Sequence, residues 1–193
     1  MKLEEAIGKI GPLDQAAMEI AQKRWDSIAK PLHSLGKLET LLIQIAGITG
    51  SAEIDLSKRG LVAMCADNGV VEEGVTQTGQ EVTAIVAENF LRYDTSVGVM
   101  CRQNHAEIFP VDMGMVTDTK VRTDHKVAYG TKNMTKGPAM TREQAVKGIE
   151  AGIAMVEELK EKGYQILATG EMGIGNTTTS SAVASVLLKQ SVE

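Results

Sequence analysis

The stretch Tyr164-Gln165-Ile166-Leu167-Ala168-Thr169-Gly170-Glu171-Met172-Gly173-Ile174-Gly175-Asn176-Thr177-Thr178-Thr179 decides the fold. Its apolar start, Tyr164 to Thr169, predicts a strand buried on both faces. Ser180 to Lys189 then places Val183, Val186 and Leu187 on one helical face. The glycines between predict a turn that sets backbone N–H groups at the positive end of a helix dipole. That is a site for an anion, usually phosphate. Glu171 lies inside this turn. A carboxylate repels a phosphate set directly against it, so Glu171 is expected to face another part of a ligand.

Upstream segments repeat the pattern. Leu61-Val62-Ala63-Met64-Cys65-Ala66 is a short continuous apolar run, and Ala106 to Val111 reads as a further strand. Helices are predicted over Gln80 to Leu91, with Val82, Ile85, Val86 and Phe90 aligned, and over Ser96 to Gln103. A capping box at Thr141-Arg142-Glu143-Gln144 opens another, with Ala145, Ile149, Ile153, Val156 and Leu159 along it and Gly163 at C′. Strands alternating with helices predict an α/β fold, its sheet parallel or mostly parallel with helices on its faces. Val116 to Gly137 reads as a long polar loop, a kind that is often functional. Before these, Ala17, Ile20, Ala21, Trp25 and Ile28 have helical spacing, ended by Lys30-Pro31. A second helix aligns Leu38, Leu41, Leu42 and Ile45 and closes at Gly47 and Gly50. The expected organisation is a helical hairpin over 1–50 and an α/β domain over 60–193.

Composition narrows the class. The chain has 193 residues, enough for one substantial domain with a small appendage, and a net charge of -5, which points to neither nucleic acid nor a membrane surface. Aromatics are 3%, so the core must come from aliphatic residues, Met and Ala. Cys65 and Cys101 lie in apolar surroundings and read as buried thiols of a reducing cytosol. Three histidines form no metal-ligand cluster, Met1-Lys2-Leu3-Glu4-Glu5 starts no signal peptide, and no apolar run would span a bilayer. A cytoplasmic protein is expected.

The three strands end alike, in Asp67-Asn68-Gly69, Asp112-Met113-Gly114 and Glu171-Met172-Gly173. Ligands of open α/β sheets bind beyond the carboxyl ends of the strands, so Asp67, Asp112 and Glu171 are candidates for one crevice. For each acid alone, a turn or helix cap is the competing reading. Gly170 to Thr177 has P-loop spacing, but Asn176 stands where that motif needs Lys, which disfavours triphosphate chemistry. It also lacks the third glycine of a dinucleotide fingerprint. A cradle for a single phosphate remains, with hydroxyls from Thr177, Thr178 and Thr179.

Further segments carry a family resemblance. They are Lys30-Pro31-Leu32-His33-Ser34-Leu35-Gly36-Lys37-Leu38-Glu39, Met64-Cys65-Ala66-Asp67-Asn68-Gly69-Val70, Glu73-Gly74-Val75, Val82-Thr83-Ala84-Ile85, Gly137-Pro138-Ala139-Met140 and Gly170 to Thr178, in that order. Together they resemble the N-terminal part of the nicotinate-nucleotide:dimethylbenzimidazole phosphoribosyltransferases, over nearly the whole chain. The resemblance implies a homodimer whose subunit has a Rossmann-like large domain and a small domain built from N- and C-terminal helices. It implies a pentosyltransferase that takes nicotinate mononucleotide as donor and a benzimidazole-type base as acceptor, in cobalamin lower-ligand synthesis, without metal or cofactor.

The implied chemistry suits the residue types. Nicotinate leaves C1′ as a neutral pyridine and needs no acid, whereas the incoming benzimidazole loses an N–H proton and needs a carboxylate base. Glu171 is the candidate base here. Gly173, Ile174, Gly175, Asn176, Thr177 and Thr178 are the candidate nucleotide and phosphate contacts, and Thr78, Val86 and Met172 the candidate base contacts. The resemblance also implies a principal glutamate base and a lysine in a C-terminal part beyond this sequence, so a fragment or split-gene half is expected, completed by a complementary C-terminal polypeptide. Val86 stands where members carry Gln, Asn68 where some carry His, and Leu32-His33 replace Pro-Gly. These departures point to an acceptor other than dimethylbenzimidazole: a simpler benzimidazole, a purine or a phenol. For Val86 the competing reading is packing in the core.

Overall fold

The computed structural model describes residues 1–191, so the last two positions of the expected 60–193 domain lie outside the described residues. The chain divides into two compact units, 4–57 and 58–193, the second including Met1–Leu3. A short helix, α1 (Leu3–Gly8), opens the chain.

In the unit 4–57, α2 (Gln15–Ser27) and α3 (Lys37–Thr49) form the hairpin. Asp14 caps α2 by accepting the Ala17 N–H at 3.0 Å, which satisfies one orphan donor of the first turn. Gly50, at φ 69°, ends α3 in the left-handed conformation. The buried contacts are made by small residues, Ala17, Ala21 and Ala46, with Ile43, Ala52 and Ile54 around them. The larger Ile20, Leu38 and Leu41 are exposed, which corrects the sequence-based choice of apolar face. Close approach explains this: a Cβ on Gly47 would lie 2.7 Å from the Met18 thioether. In the linking turn Lys30 pairs with the buried Glu39 at 2.9 Å, and Glu39 also accepts the Leu35 N–H at 3.0 Å. His33 sits exposed in that turn at φ 58°.

In the unit 58–193, β1 (Arg59–Ala66), β2 (Ala106–Gly114) and β3 (Ile166–Met172) form a parallel sheet in the order β2-β1-β3. The crossovers are α4 (Glu81–Arg92) with α5 (Ser96–Gln103), and then α6 (Arg142–Glu161); α7 (Asn176–Leu188) follows β3. Beyond the exposed Arg59, central β1 is apolar because it is covered on both sides. Ala63 and Cys65 pack with Ala84, Ala87 and Phe90 of α4, while Val62 packs with Met155 and Leu159 of α6. The Thr141–Gln144 capping box forms as expected, and Gly163 takes φ 85°.

Three expectations need correction. β3 has β1 on one edge and no strand on the other among the described residues, so Ala168 and Thr169 are exposed rather than buried. Helix α4 buries Thr83, Ala84, Ala87 and Phe90 and leaves Ile85 exposed. Helix α6 buries Ala151, Met155 and Leu159, with Ile149 and Val156 exposed. In both helices apolar residues occupy more than one face, so periodicity alone does not choose the inner one. Cys65 and Cys101 are free and buried, as read. Burial, then the nearby Asp112, pushes the Cys65 thiol up to about 12, which leaves it inert as a nucleophile.

An ion-pair cluster ties the long 116–137 loop to α6. Arg122 pairs with Asp124 at 2.5 Å and with Glu158 at 2.7 Å. The Arg122 hydrogen bond, followed by that of Lys162, lowers the Glu158 carboxyl from 4.5 to about 2. A depressed folded-state pKa stabilises the fold above the unfolded value, and the gain disappears as pH falls through the folded one. Glu158→Gln is therefore expected to melt below the native chain at pH 7, with the gap closing between pH 4.5 and 2. Thermal melts across that range check it; a gap that does not change with pH would refute the assignment.

Candidate active site

The turn from β3 into α7 is built on its glycines. Gly173 is buried against β1, where any Cβ would overlap the Ala66 carbonyl oxygen. Gly175 precedes α7 at φ 83°, a conformation costly for other residues. Helix α7 starts at Asn176, four residues earlier than the sequence suggests, so Thr177, Thr178 and Thr179 lie in its first turn. Thr179 donates its N–H to Gly175 O at 3.3 Å and Asn176 donates to Gly173 O at 3.0 Å. Among the described residues the Gly175 and Thr178 N–H groups have no hydrogen-bond acceptor. They stand at the positive end of the helix dipole, the arrangement expected of an anion cradle.

Glu171 is exposed beside this turn. Its Oε1 accepts from Asn176 Nδ2 at 2.6 Å, while Asn176 Oδ1 accepts the Thr177 N–H at 2.8 Å. The Asn176 amide therefore links the carboxylate to the first turn of α7. This explains how an acid and an anion site share one loop: Asn176 stands between them.

The three strand-end acids do not meet in one crevice. Asp112 lies opposite Cys65 and Glu171 opposite Met64 in the sheet register. Cys65 faces α4 and Met64 faces α6, so by alternation Asp112 and Glu171 project from opposite faces of the sheet. Asp112 is 0% exposed and Asp67 1%. Both anchor the loop after β2. Asp112 accepts the Met115 N–H at 2.8 Å and pairs with Lys126 at 3.0 Å; Asp67 accepts the Val116 N–H at 2.8 Å.

Of the candidate base contacts, Thr78 is exposed in the loop before α4. Val86 and Met172 are partly buried and pack on the α4 side of the core. Asn68 is engaged elsewhere: its Nδ2 donates to Ile174 O at 3.0 Å and its Oδ1 accepts from Thr179 Oγ1 at 3.2 Å. Thr83, which the sequence places in a resemblance segment without a role, is 0% exposed, and its Oγ1 accepts the Ile174 N–H at 3.0 Å. A threonine on an otherwise apolar helix face is the signal that marks it. Two cavities adjoin at Thr131 and Met140. One, about 400 Å³, lies between Met113, Ala128, Ala145 and Gly148; the other, about 810 Å³, runs along α7 from Asn68 and Thr179 to Leu187. Among the described residues no three of His, Cys, Asp and Glu are grouped to hold a metal ion, and no helix is long and apolar enough to cross a membrane.

Fold and site together define an α/β protein with a helix N-terminus offered to an anion at the carboxyl end of a parallel sheet. A family model described as phosphoribosyltransferase matches residues 10–193. The chain is similar to the nicotinate-nucleotide–dimethylbenzimidazole phosphoribosyltransferase of Ruminiclostridium cellulolyticum, 52% identical over 97% of this chain and 54% of the relative. It is similar to that of Clostridium tetani at 49% identity, over 96% of this chain and 52% of the relative. A crystal structure of such an enzyme from Thermus thermophilus superposes with a TM-score of 0.85 at 34% identity, covering 92% of this chain and 55% of that one. The chain belongs to the nicotinate-nucleotide–dimethylbenzimidazole phosphoribosyltransferase family. It spans about half the length of the curated relatives it matches.

Proposed function

We propose that this chain serves in phosphoribosyl transfer from nicotinate mononucleotide to 5,6-dimethylbenzimidazole or a related base, giving α-ribazole 5′-phosphate and nicotinate in cobalamin lower-ligand synthesis. The observation that carries the reading is the Glu171–Asn176–Thr177 relay at the start of α7. The 5′-phosphate takes the Gly175 and Thr178 N–H groups and the hydroxyls of Thr177 and Thr178. Glu171, held one amide away, faces C1′ and is the base this chain offers for the proton lost as the nitrogen attacks, beside the principal glutamate base that the resemblance implies in the C-terminal part. Nicotinate departs with the electron pair of the broken C–N bond. Val86 carries no amide, which supports acceptors beyond dimethylbenzimidazole.

The test follows nicotinate released from nicotinate mononucleotide by the purified chain, with benzimidazole, dimethylbenzimidazole, adenine and a phenol in competition. Base-dependent release with formation of the α-ribazole nucleotide supports transfer. Clear preference for dimethylbenzimidazole would sink the altered-acceptor reading.

A second reading is favoured by one observation. Helix α7 has no buried residue, its Val186 and Leu187 are 77% and 76% exposed, and β3 has no strand on its outer edge among the described residues. These surfaces suit a complementary polypeptide matching the remaining half of the relatives, and the exposed apolar residues of α3 suit a small helical domain completed the same way. On this reading turnover appears only when that half is added; turnover by the chain alone would reject it. A cytoplasmic homodimer is the assembly we propose for the complete enzyme.

A further inference from the structure

We propose that Thr83 is a positioning residue: its buried hydroxyl fixes the plane of the Ile174 peptide and thereby shapes the anion-binding turn. The inference rests on the transferase reading for its ligand, but not for its geometry. Ile174 is gripped from two sides. Thr83 Oγ1, from α4, accepts its N–H at 3.0 Å, and Asn68 Nδ2, from the end of β1, donates to its carbonyl at 3.0 Å. Asn68 reaches α7 as well, accepting from Thr179 Oγ1 at 3.2 Å, and its own carbonyl accepts from Gln80 Nε2 at 3.0 Å just before α4. Gln80 and Thr83 flank the first turn of the helix that also carries Val86, so the helix bordering the candidate base contacts holds the nucleotide turn directly.

The clamp has a chemical consequence. With the Ile174 N–H committed to Thr83, that donor is withdrawn from the ligand, while the Gly175 and Thr178 N–H groups stay without an acceptor among the described residues. A threonine with no exposure has no solvent to bond with, and a Val there would be similar in shape but would leave the part-buried Ile174 N–H without its acceptor. Selection of these two N–H groups is what a preorganised anion site requires, since donors fixed before binding need not be ordered by the ligand.

The experiment compares Thr83→Val, Thr83→Ser and Asn68→Ala in the full 193-residue chain. Amide hydrogen exchange at Ile174 is read against Ala63 in the sheet core, and nicotinate mononucleotide affinity is measured by titration. T83V should speed Ile174 exchange at least about tenfold with Ala63 unchanged, and weaken the mononucleotide by about tenfold. T83S, which keeps the hydroxyl, should stay within about twofold of the native chain in both, while N68A should loosen Ile174 as T83V does. Equal acceleration at Ile174 and Ala63 would show a general loss of stability and overturn the proposal. So would T83V binding as tightly as the native chain, or T83S failing as T83V does. If the native chain does not bind the mononucleotide, the transferase reading fails by itself, while Ile174 exchange in T83S and T83V still decides whether the hydroxyl holds the peptide.

Discussion

Replacing Gly173 by alanine is expected to abolish mononucleotide binding and to cost about 2–3 kcal/mol of stability. The added Cβ meets the carbonyl oxygen of Ala66, a backbone atom of the central strand, and next the Asn68 amide. Neither yields as a flexible side-chain end would. Ala66 is paired with Gly114 in the sheet, and Asn68 bonds both Ile174 and Thr179. The turn must therefore move away from β1, and the two bonds that fix Ile174 go with it. Gly175→Ala is the useful comparison: its cost is dihedral, about 1–2 kcal/mol for φ 83°, with Val71 close to the new Cβ. Denaturant melts and mononucleotide titrations of both variants check this. A Gly173→Ala chain as stable as the native one, with unchanged affinity, would refute the account.

What the sequence disclosed, and what it hid, follows from the range of the interactions involved. β1 was legible because a strand covered on both faces leaves a continuous apolar run, which no partner needs to explain. The glycine turn was legible because its constraint is local, a φ at Gly175 and a close approach at Gly173. β3 looks the same in sequence as β1, yet it lies at an open edge among the described residues, and strand order is not written in one strand. The strand-end acids misled for a related reason. Asp67 and Asp112 resemble Glu171 in spacing, but Asp67 bonds Val116, 49 residues on, which no local pattern reports, while Asp112 caps the Met115 N–H three residues on, the turn-cap reading, and pairs with Lys126 farther along the loop. Thr83 was hidden because its hydroxyl serves a residue 91 positions away.

That contrast yields the second large effect. Glu171→Gln should lower the rate of phosphoribosyl transfer by about 10²- to 10⁴-fold, the range for loss of a positioned general base, in whichever preparation turns over. The amide retains an oxygen for Asn176 Nδ2, so the relay to α7 survives and only the charge is removed. Glu171 is exposed, so stability should shift by no more than about 0.5 kcal/mol. Asp112→Asn should behave in the opposite way. It weakens a buried pair with Lys126 and should cost about 3 kcal/mol of stability. Its side chain lies on the other face of the sheet from Glu171, so any surviving folded fraction should transfer at close to the native rate per molecule. Rates normalised to folded protein, beside melts of each variant, separate the two roles. If D112N lost transfer with its fold intact, Asp112 would join Glu171 in the chemistry. If E171Q kept the native rate, the base would have to be another group, and the relay at the start of α7 would serve binding alone.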